Sequence, residues 1–124
     1  MSPIKVLAVD DDMINLKLLK SMLMKTDYVS EVIEAKDGAQ AIEILKTQSD
    51  IGLILLDIIM PIMNGIEVLK IVRADSHFGN IPIIVLTTDE TKKAEALECG
   101  ANDFIMKPVR IDQVSEKIQR LINL

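Results

Sequence analysis

In 124 residues the chain has one cysteine, one histidine and no tryptophan. Each shortage removes a class of function. A lone Cys99 cannot form an internal disulfide; it reads as a small packed residue and fits a reducing compartment. A lone His77, in the loop Ala74–Asn80, excludes His-rich metal centres and reads as a solvated side chain. Without Trp, a platform for stacking nucleobases is not expected. Positive charge is also short. Fourteen Lys and Arg against 19 Asp and Glu give a net charge of −5, which argues against nucleic-acid binding by this domain alone. No apolar run approaches the ~20 residues that cross a bilayer. The start, Met1 to Lys5, leads directly into a strand and lacks a signal-peptide pattern, so a cytoplasmic location without membrane attachment is expected. No repeat, low-complexity tract or Pro/Gly/Ser-rich linker interrupts the chain.

Hydrophobic residues make up 49% and charged residues 27%, the balance of one globular domain spanning 1–124. The chain stops where its last helix stops, so it reads as a complete single-domain protein or as one domain of a longer one, with an output domain after Leu124. Short Val/Ile/Leu-rich runs alternate five times with helical periodicity. The expected strands are 4–9, 30–35, 51–56, 82–87 and 102–106, and all but 30–35 contain the apolar runs of buried parallel strands. The first helix, about Met13 to Thr26, places Ile14, Leu18 and Met22 on one stripe with Leu19 and Leu23 beside it, and the stripe reads as core. The second and third follow capping-box patterns, Asp37-x-x-Gln40 and Asn64-x-x-Glu67, and bury Ala41, Ile42 and Leu45, then Ile66, Leu69 and Val72. The fourth, about Glu90 to Cys99, ends at Gly100 and has only Ala94, Leu97 and Ala96 to bury. The fifth, about Ile111 to Ile122, turns Val114, Ile118, Leu121 and Ile122 inward. Seven methionines read as core filling. Alternation with short connections predicts an α/β fold with a five-stranded parallel sheet covered on both faces.

Polar residues close four of these runs. Asp10 and Asp11 follow Val6–Val9, Asp57 follows Ile51–Leu56, Thr87 follows Ile81–Leu86, and Lys107 follows Asp103–Met106. In an open parallel sheet the C-terminal strand ends share one edge, where ligands bind. Crowded carboxylates repel each other and take up a hard cation such as Mg²⁺. A carboxylate beside that cation can attack phosphorus and form an aspartyl phosphate. Phosphoryl transfer then asks for positive charge and donors around the equatorial oxygens, which Lys107 and Thr87 would supply.

With these residues in order, the chain resembles the receiver domains of two-component response regulators, the superfamily of the chemotaxis regulator. The resemblance covers nearly the whole chain through Asp10-Asp11, Asp57-Ile58-Ile59-Met60-Pro61 with Asn64-Gly65, Thr87, and Lys107-Pro108. It implies a (βα)5 doubly wound, flavodoxin-like fold with strand order 2-1-3-4-5, an order that comes with the resemblance and not from periodicity. It implies that Asp57 accepts a phosphoryl group from a sensor histidine kinase or histidine phosphotransfer protein. Asp10, Asp11, Asp57 and the backbone carbonyl of Ile59 would hold Mg²⁺. Thr87 and Phe104 would form the switch pair, Lys107 would contact the phosphoryl group, and the Lys107-Pro108 bond would be cis. The implied role is a phosphorylation-controlled signalling module, not an enzyme beyond its own phosphoryl transfer and slow self-dephosphorylation. Its fourth helix, fifth strand and fifth helix would address a downstream protein or attached output domain, with a phosphorylation-dependent homodimer as one form of output. The kinase would dock near the first helix, where Asn15 and Leu18 are candidates for partial exposure.

The sequence departs from that pattern at few points. Asp12 adds a third acid and reads as a first-turn helix acid. Thr88 is bulkier than the family's usual Ala, and Ile59 and Asp89 hold positions that tune phosphoryl lifetime. Three other readings compete. A haloacid-dehalogenase-type phosphatase would use Asp10 as nucleophile, but Ile14 and the absence of an acid pair after the lysine oppose it. A pseudo-receiver that works without phosphate would not need the complete acid set. A flavodoxin-like flavin binder would need a hydroxyl- and glycine-rich phosphate loop where this chain has acids.

Overall fold

The computed structural model describes residues 3–122. Five strands, β1 (Ile4–Val9), β2 (Val29–Ala35), β3 (Ile51–Asp57), β4 (Ile83–Thr87) and β5 (Asp103–Met106), alternate with five helices: α1 (Met13–Leu23), α2 (Gly38–Thr47), α3 (Gly65–Ala74), α4 (Lys93–Glu98) and α5 (Ile111–Ile122). All strand pairs are parallel, in the order β2-β1-β3-β4-β5. Among the described residues no helix is long and apolar enough to cross a membrane.

Strand side chains alternate between two cores. Leu7, Val9, Ile54, Leu56, Ile83, Val85 and Phe104 face α2, α3 and α4, and meet Ala41, Leu45, Leu69, Val72 and Ala96. Val6, Ala8, Leu53, Leu55, Ile84, Leu86 and Ile105 face α1 and α5, and meet Leu16, Leu19, Leu23, Val114 and Ile118. Burial on both faces is why these strands read as unbroken apolar runs. The chain leaves β1 for the edge strand β2 and returns past β1 to β3, so the strand order reverses between β1 and β3. The ends of those two strands flank the crevice where such sheets bind ligands.

The helix starts reflect their local chemistry. Asp12 caps α1, accepting from Ile14 N (2.9 Å) and Asn15 N (3.4 Å). It therefore stands one residue before the first turn. Asn64 and Glu67 form the reciprocal capping box of α3. At α2 only half of the expected box forms. Asp37 accepts from Gln40 N (2.7 Å), but Gln40 Oε1 accepts from Lys36 N (2.7 Å) and not from Asp37 N.

Three expectations about burial are corrected. In α1 the buried stripe is Leu16, Leu19 and Leu23, while Ile14 is 70% exposed and Leu18 56%, the latter in keeping with the partial exposure that the resemblance implies for Asn15 and Leu18. Residues two apart on a helix point about 200° apart, so the Asp12 cap and the short link from β1, which set the phase of α1, leave its second apolar stripe outside. The fourth helical segment is broken: a 3-10 turn (Glu90–Lys92) precedes α4, and only Ala96 is buried, with Ala94 and Leu97 exposed. Asp89 caps the 3-10 turn through Thr91 N (3.0 Å), whereas Lys92 gives α4 no side-chain cap, so the first turn stays tight. The methionines do not fill the core as a class. Met60 is buried, Met22, Met63 and Met106 are half-buried, and Met13 and Met24 are exposed; Met1 lies outside the described residues.

The α1 assignment predicts opposite outcomes for two neighbouring leucines. Leu16→Ala should cost about 2–5 kcal/mol in urea unfolding through loss of buried volume. Leu18→Ala should stay within about 0.5 kcal/mol of wild type. The reverse ranking would overturn the face assigned to α1.

Candidate functional site

Asp10 lies just past β1 and is held there by its amide, which donates to Ala35 O (3.1 Å). Asp57 is the last residue of β3. Both carboxylates are buried, at 1% and 4% exposure. They are adjacent because β1 and β3 pair directly, in a register that runs to Val9 opposite Leu56. Lys107, just past β5, lays its ammonium between them, 3.0 Å from Asp10 Oδ2 and 3.2 Å from Asp57 Oδ1. The second oxygen of Asp10 accepts from Asp12 N (2.9 Å).

This packing sets the electrostatics. Burial, reinforced by repulsion from Asp10 and opposed by Lys107, pushes the Asp57 carboxyl up to about 6. Burial alone would lower Lys107, but its hydrogen bond to Asp10 and the Asp57 and Asp10 charges outweigh that and raise it above its ordinary value. The bond from Lys107 to Pro108 is cis.

Asp11 is exposed, and one oxygen each from Asp10, Asp11 and Asp57 lie within 4.8 Å of one another. Three carboxylates and one ammonium leave two uncompensated negative charges at neutral pH, which a divalent cation would balance. An all-oxygen donor set open to solvent on one side suits Mg²⁺, which keeps several of its waters. Asp12 Oδ1 is taken by the α1 cap, and the residue borders the crevice without joining the three-carboxylate cluster. Ile59 lies at the rim with its side chain 55% exposed.

The loop after Asp57 is held tightly against the strand end. Gly65 N donates to Ile58 O (2.7 Å). A Cβ at Gly65 would collide with Asp57 O and lie 2.7 Å from Ile58 Cα. Within the loop Ile62 takes a φ of +68° with its side chain in solvent. That conformation strains a β-branched residue.

Thr87 is fully buried, and its Oγ1 accepts from Asp89 N (3.1 Å). Its carbonyl accepts from Lys107 N (2.9 Å), stitching the tips of β4 and β5 together. Thr88, not Thr87, lines the acidic crevice in this arrangement. Phe104 points inward at 8% exposure, with Lys93 Nζ 5.9 Å from its ring centroid. His77 is exposed in its loop, and Cys99 is half-buried at the end of α4.

The structure thus brings Asp10, Asp57 and Lys107 into direct contact, sets Asp11 beside them, and buries Thr87 at the end of β4 and Phe104 on β5. Two features escape sequence reasoning. One is the Thr87–Asp89 bond, which only the turn geometry reveals. The other is an apolar cleft of about 380 Å³ beside the acids, lined by Leu18, Leu19, Met22, Leu86, Pro108 and Val109; the outward α1 stripe is its signal.

Comparison with known proteins agrees with this architecture. A family model, the response regulator receiver domain, matches residues 6–119. Chemotaxis protein CheY1 of Helicobacter pylori is 40% identical over 118 residues, 93% of this chain and 94% of that protein. The putative two-component response regulator ARR21 of Arabidopsis thaliana is 41% identical over 107 residues, 86% of this chain and 17% of that protein. Among solved structures, Vibrio cholerae chemotaxis protein CheY4 superposes with a TM-score of 0.88 at 32% identity, covering 98% of this chain and 100% of that one. The receiver domain of a Pseudomonas aeruginosa sensor histidine kinase, with magnesium coordinated in its active-site cleft, gives 0.87 at 27% identity, covering 99% and 100%.

The raised Asp57 carboxyl makes a signed prediction about stability. Its pKa in the folded state, about 6, lies above the ordinary value near 4. The folded state therefore binds the proton more tightly, and in metal-free buffer stability falls as pH rises from about 4 to about 6. Asp57→Asn should be more stable than wild type at pH 7 by about 1–3 kcal/mol, with the gain vanishing below about pH 4. Chemical denaturation at several pH values checks this. An Asp57→Asn protein less stable at pH 7 would show that Asp57 is not the strained carboxylate.

Proposed function

The chain belongs to the response regulator receiver family and is a phosphorylation-activated signalling switch, and we propose that Asp57 is its phosphoacceptor, with Lys107, Thr87 and the Asp10–Asp11 pair as its partners. The observation that carries this reading is the shared ammonium of Lys107 between two buried carboxylates at adjacent strand ends. A carboxylate oxygen of Asp57 attacks phosphorus. The P–N bond of a donor phosphohistidine breaks, its electron pair passes to the imidazole nitrogen, and an acyl phosphate remains on Asp57. Asp10, Asp11, Asp57 and the carbonyl of Ile59 would hold Mg²⁺, which would supply positive charge to offset that of the phosphoryl group. Lys107 transfers from Asp57 to a phosphoryl oxygen while keeping Asp10 within reach.

Asp57 sits at the crevice floor, so the new phosphoryl group lies at the end of β4. Thr87 can donate its hydroxyl to that group only by turning away from Asp89 N, and Phe104 repacks with it. The phosphoryl group thereby favours one of two arrangements. The changed surface is α4, β5 and α5, which addresses a downstream protein, an attached output domain or a second copy of the chain. The donor is a sensor histidine kinase or histidine phosphotransfer protein. The exposed Met13, Ile14 and Leu18 of α1 and the cleft beside Pro108 form the natural place for its helices to dock. A cytoplasmic location fits the lone free cysteine. A phosphatase with Asp10 as nucleophile is disfavoured, because both Asp10 oxygens already accept hydrogen bonds. We read the chain as a signalling domain without turnover of an external substrate.

Two experiments test these roles. Incubation with acetyl phosphate followed by intact-mass spectrometry should show a Mg²⁺-dependent gain of one phosphoryl group that Asp57→Asn abolishes. Labelling that persists at Asp10 would transfer the nucleophile's role to that residue. Lys107→Ala should still bind Mg²⁺, yet its amide NMR shifts in α4 and β5 should respond weakly to phosphorylation. An unchanged response would remove the role given to that lysine.

A further inference from the structure

Arg73, in the last turn of α3, is a half-buried cation that the phosphoryl site does not use. Among the described residues its guanidinium meets neutral oxygens and no carboxylate. Nε donates to Gly100 O (2.9 Å), Nη1 to Gly79 O (2.8 Å) and Ile81 O (2.7 Å), and Nη2 to Asn102 Oδ1 (2.8 Å). Asn102 Oδ1 also accepts from Ile83 N (2.8 Å), and Asn102 N donates to Ile83 O (2.8 Å), at the start of β4. The side chain packs flat on Gly100, whose φ is +111° and where a Cβ would come 2.8 Å from Arg73 Cγ. One planar fork thus ties α3, the loop before β4 and the loop after α4 together. Lysine, with one point charge on a flexible stem, cannot reproduce that geometry.

The two ends of α4 are held very differently. Its C-terminal end has this fork, the helical bond from Cys99 N to Glu95 O (3.0 Å), the Schellman bond from Ala101 N to Ala96 O (3.0 Å), and the Asn102 bridge to β4. Its N-terminal approach has a 3-10 turn held locally by Asp89 on Thr91, no side-chain cap on α4 itself, and the bond from Asp89 N to Thr87 Oγ1 as its tie to the sheet. Only Ala96 fixes the middle. We propose that Arg73 is a positioning residue that pivots α4: when the Thr87 hydroxyl leaves Asp89, the helix moves from its N-terminal end while Arg73 keeps the Gly100 end in place. The inference rests on the switch role given to Thr87 and adds where the motion stops.

Amide hydrogen exchange on the whole chain, with and without Mg²⁺ plus beryllofluoride as a mimic of the bound phosphoryl group, tests this. In wild type the amides of residues 89–95 should change protection on activation by about tenfold or more, and those of residues 99–102 by less than about twofold. In Arg73→Gln, residues 99–102 should exchange faster at rest and should now respond to activation as residues 89–95 do. A merely structural arginine would speed exchange equally in both states and leave the activation difference as in wild type, which would overturn the proposal. So would a wild-type response as large at 99–102 as at 89–95, a comparison that stands even where Arg73→Gln fails to fold. Phosphoryl uptake by acetyl phosphate separates the two failures. Uptake with a whole-helix response overturns the pivot alone, whereas no uptake and no response overturns the reading of Asp57 as well.

Discussion

Everything at the C-terminal edge of the sheet depends on the Lys107 ammonium shared by Asp10 and Asp57. Two buried carboxylates on neighbouring strands are unfavourable by themselves: desolvation and mutual repulsion both act against ionisation. One cation between them lowers that cost without cancelling it, which is why Asp57 remains raised to about 6. The residual negative charge gives the site its appetite for a divalent cation. The constraint reaches back into the fold. Direct pairing of β1 with β3 brings the two acids together, and the stitch from Lys107 N to Thr87 O delivers the lysine from the opposite side of the sheet.

The sheet and its acids are legible in the sequence because both leave periodic, local marks. Strands buried on both faces appear as unbroken apolar runs, and their predicted limits fall within one residue of those observed. The helices are legible as helices but less so as faces. In α1 two apolar stripes compete, and periodicity cannot tell which one the β1–α1 link turns inward. Periodicity therefore places Ile14 and Leu18 in the core, where Leu16 belongs. The α4 region misleads for a different reason. Its composition permits a helix throughout, yet Asp89 prefers to close a tight turn on Thr91, and no side chain caps α4 itself.

The hidden part of the candidate site is nonlocal or neutral. Asp10, Asp11, Asp57, Thr87 and Lys107 stand out as polar residues at the ends of apolar runs. The Thr87–Asp89 bond and the Arg73 fork carry no such mark, since their partners, apart from Asn102 Oδ1, are backbone groups that every residue possesses. Arg73 looks in sequence like an ordinary basic residue in the last turn of a helix, a position that favours the helix dipole. Only the folded chain shows its fork spread over the carbonyls of Gly79, Ile81 and Gly100.

The asymmetry of α4 also sets the scale of the switch. A neutral hydrogen bond such as that from Asp89 N to Thr87 Oγ1 contributes about 0.5–1.5 kcal/mol, whereas one made to a charged group contributes about 1.5–3 kcal/mol. In the switch proposed for Thr87, exchanging the first for the second would favour the activated arrangement by about 1–2 kcal/mol, a factor of roughly 5–30 in population. That range is enough to shift an equilibrium and too small to lock it. A larger shift would need contacts beyond Thr87, and Lys107 is the residue placed to provide them. In that proposal, moving its ammonium from Asp57 to the phosphoryl group would keep the Asp10 contact and relieve the strained carboxylate in the same step. On the proposed assignment, the charge arrangement that makes Asp57 costly at rest is therefore the one that would stabilise its phosphorylated form.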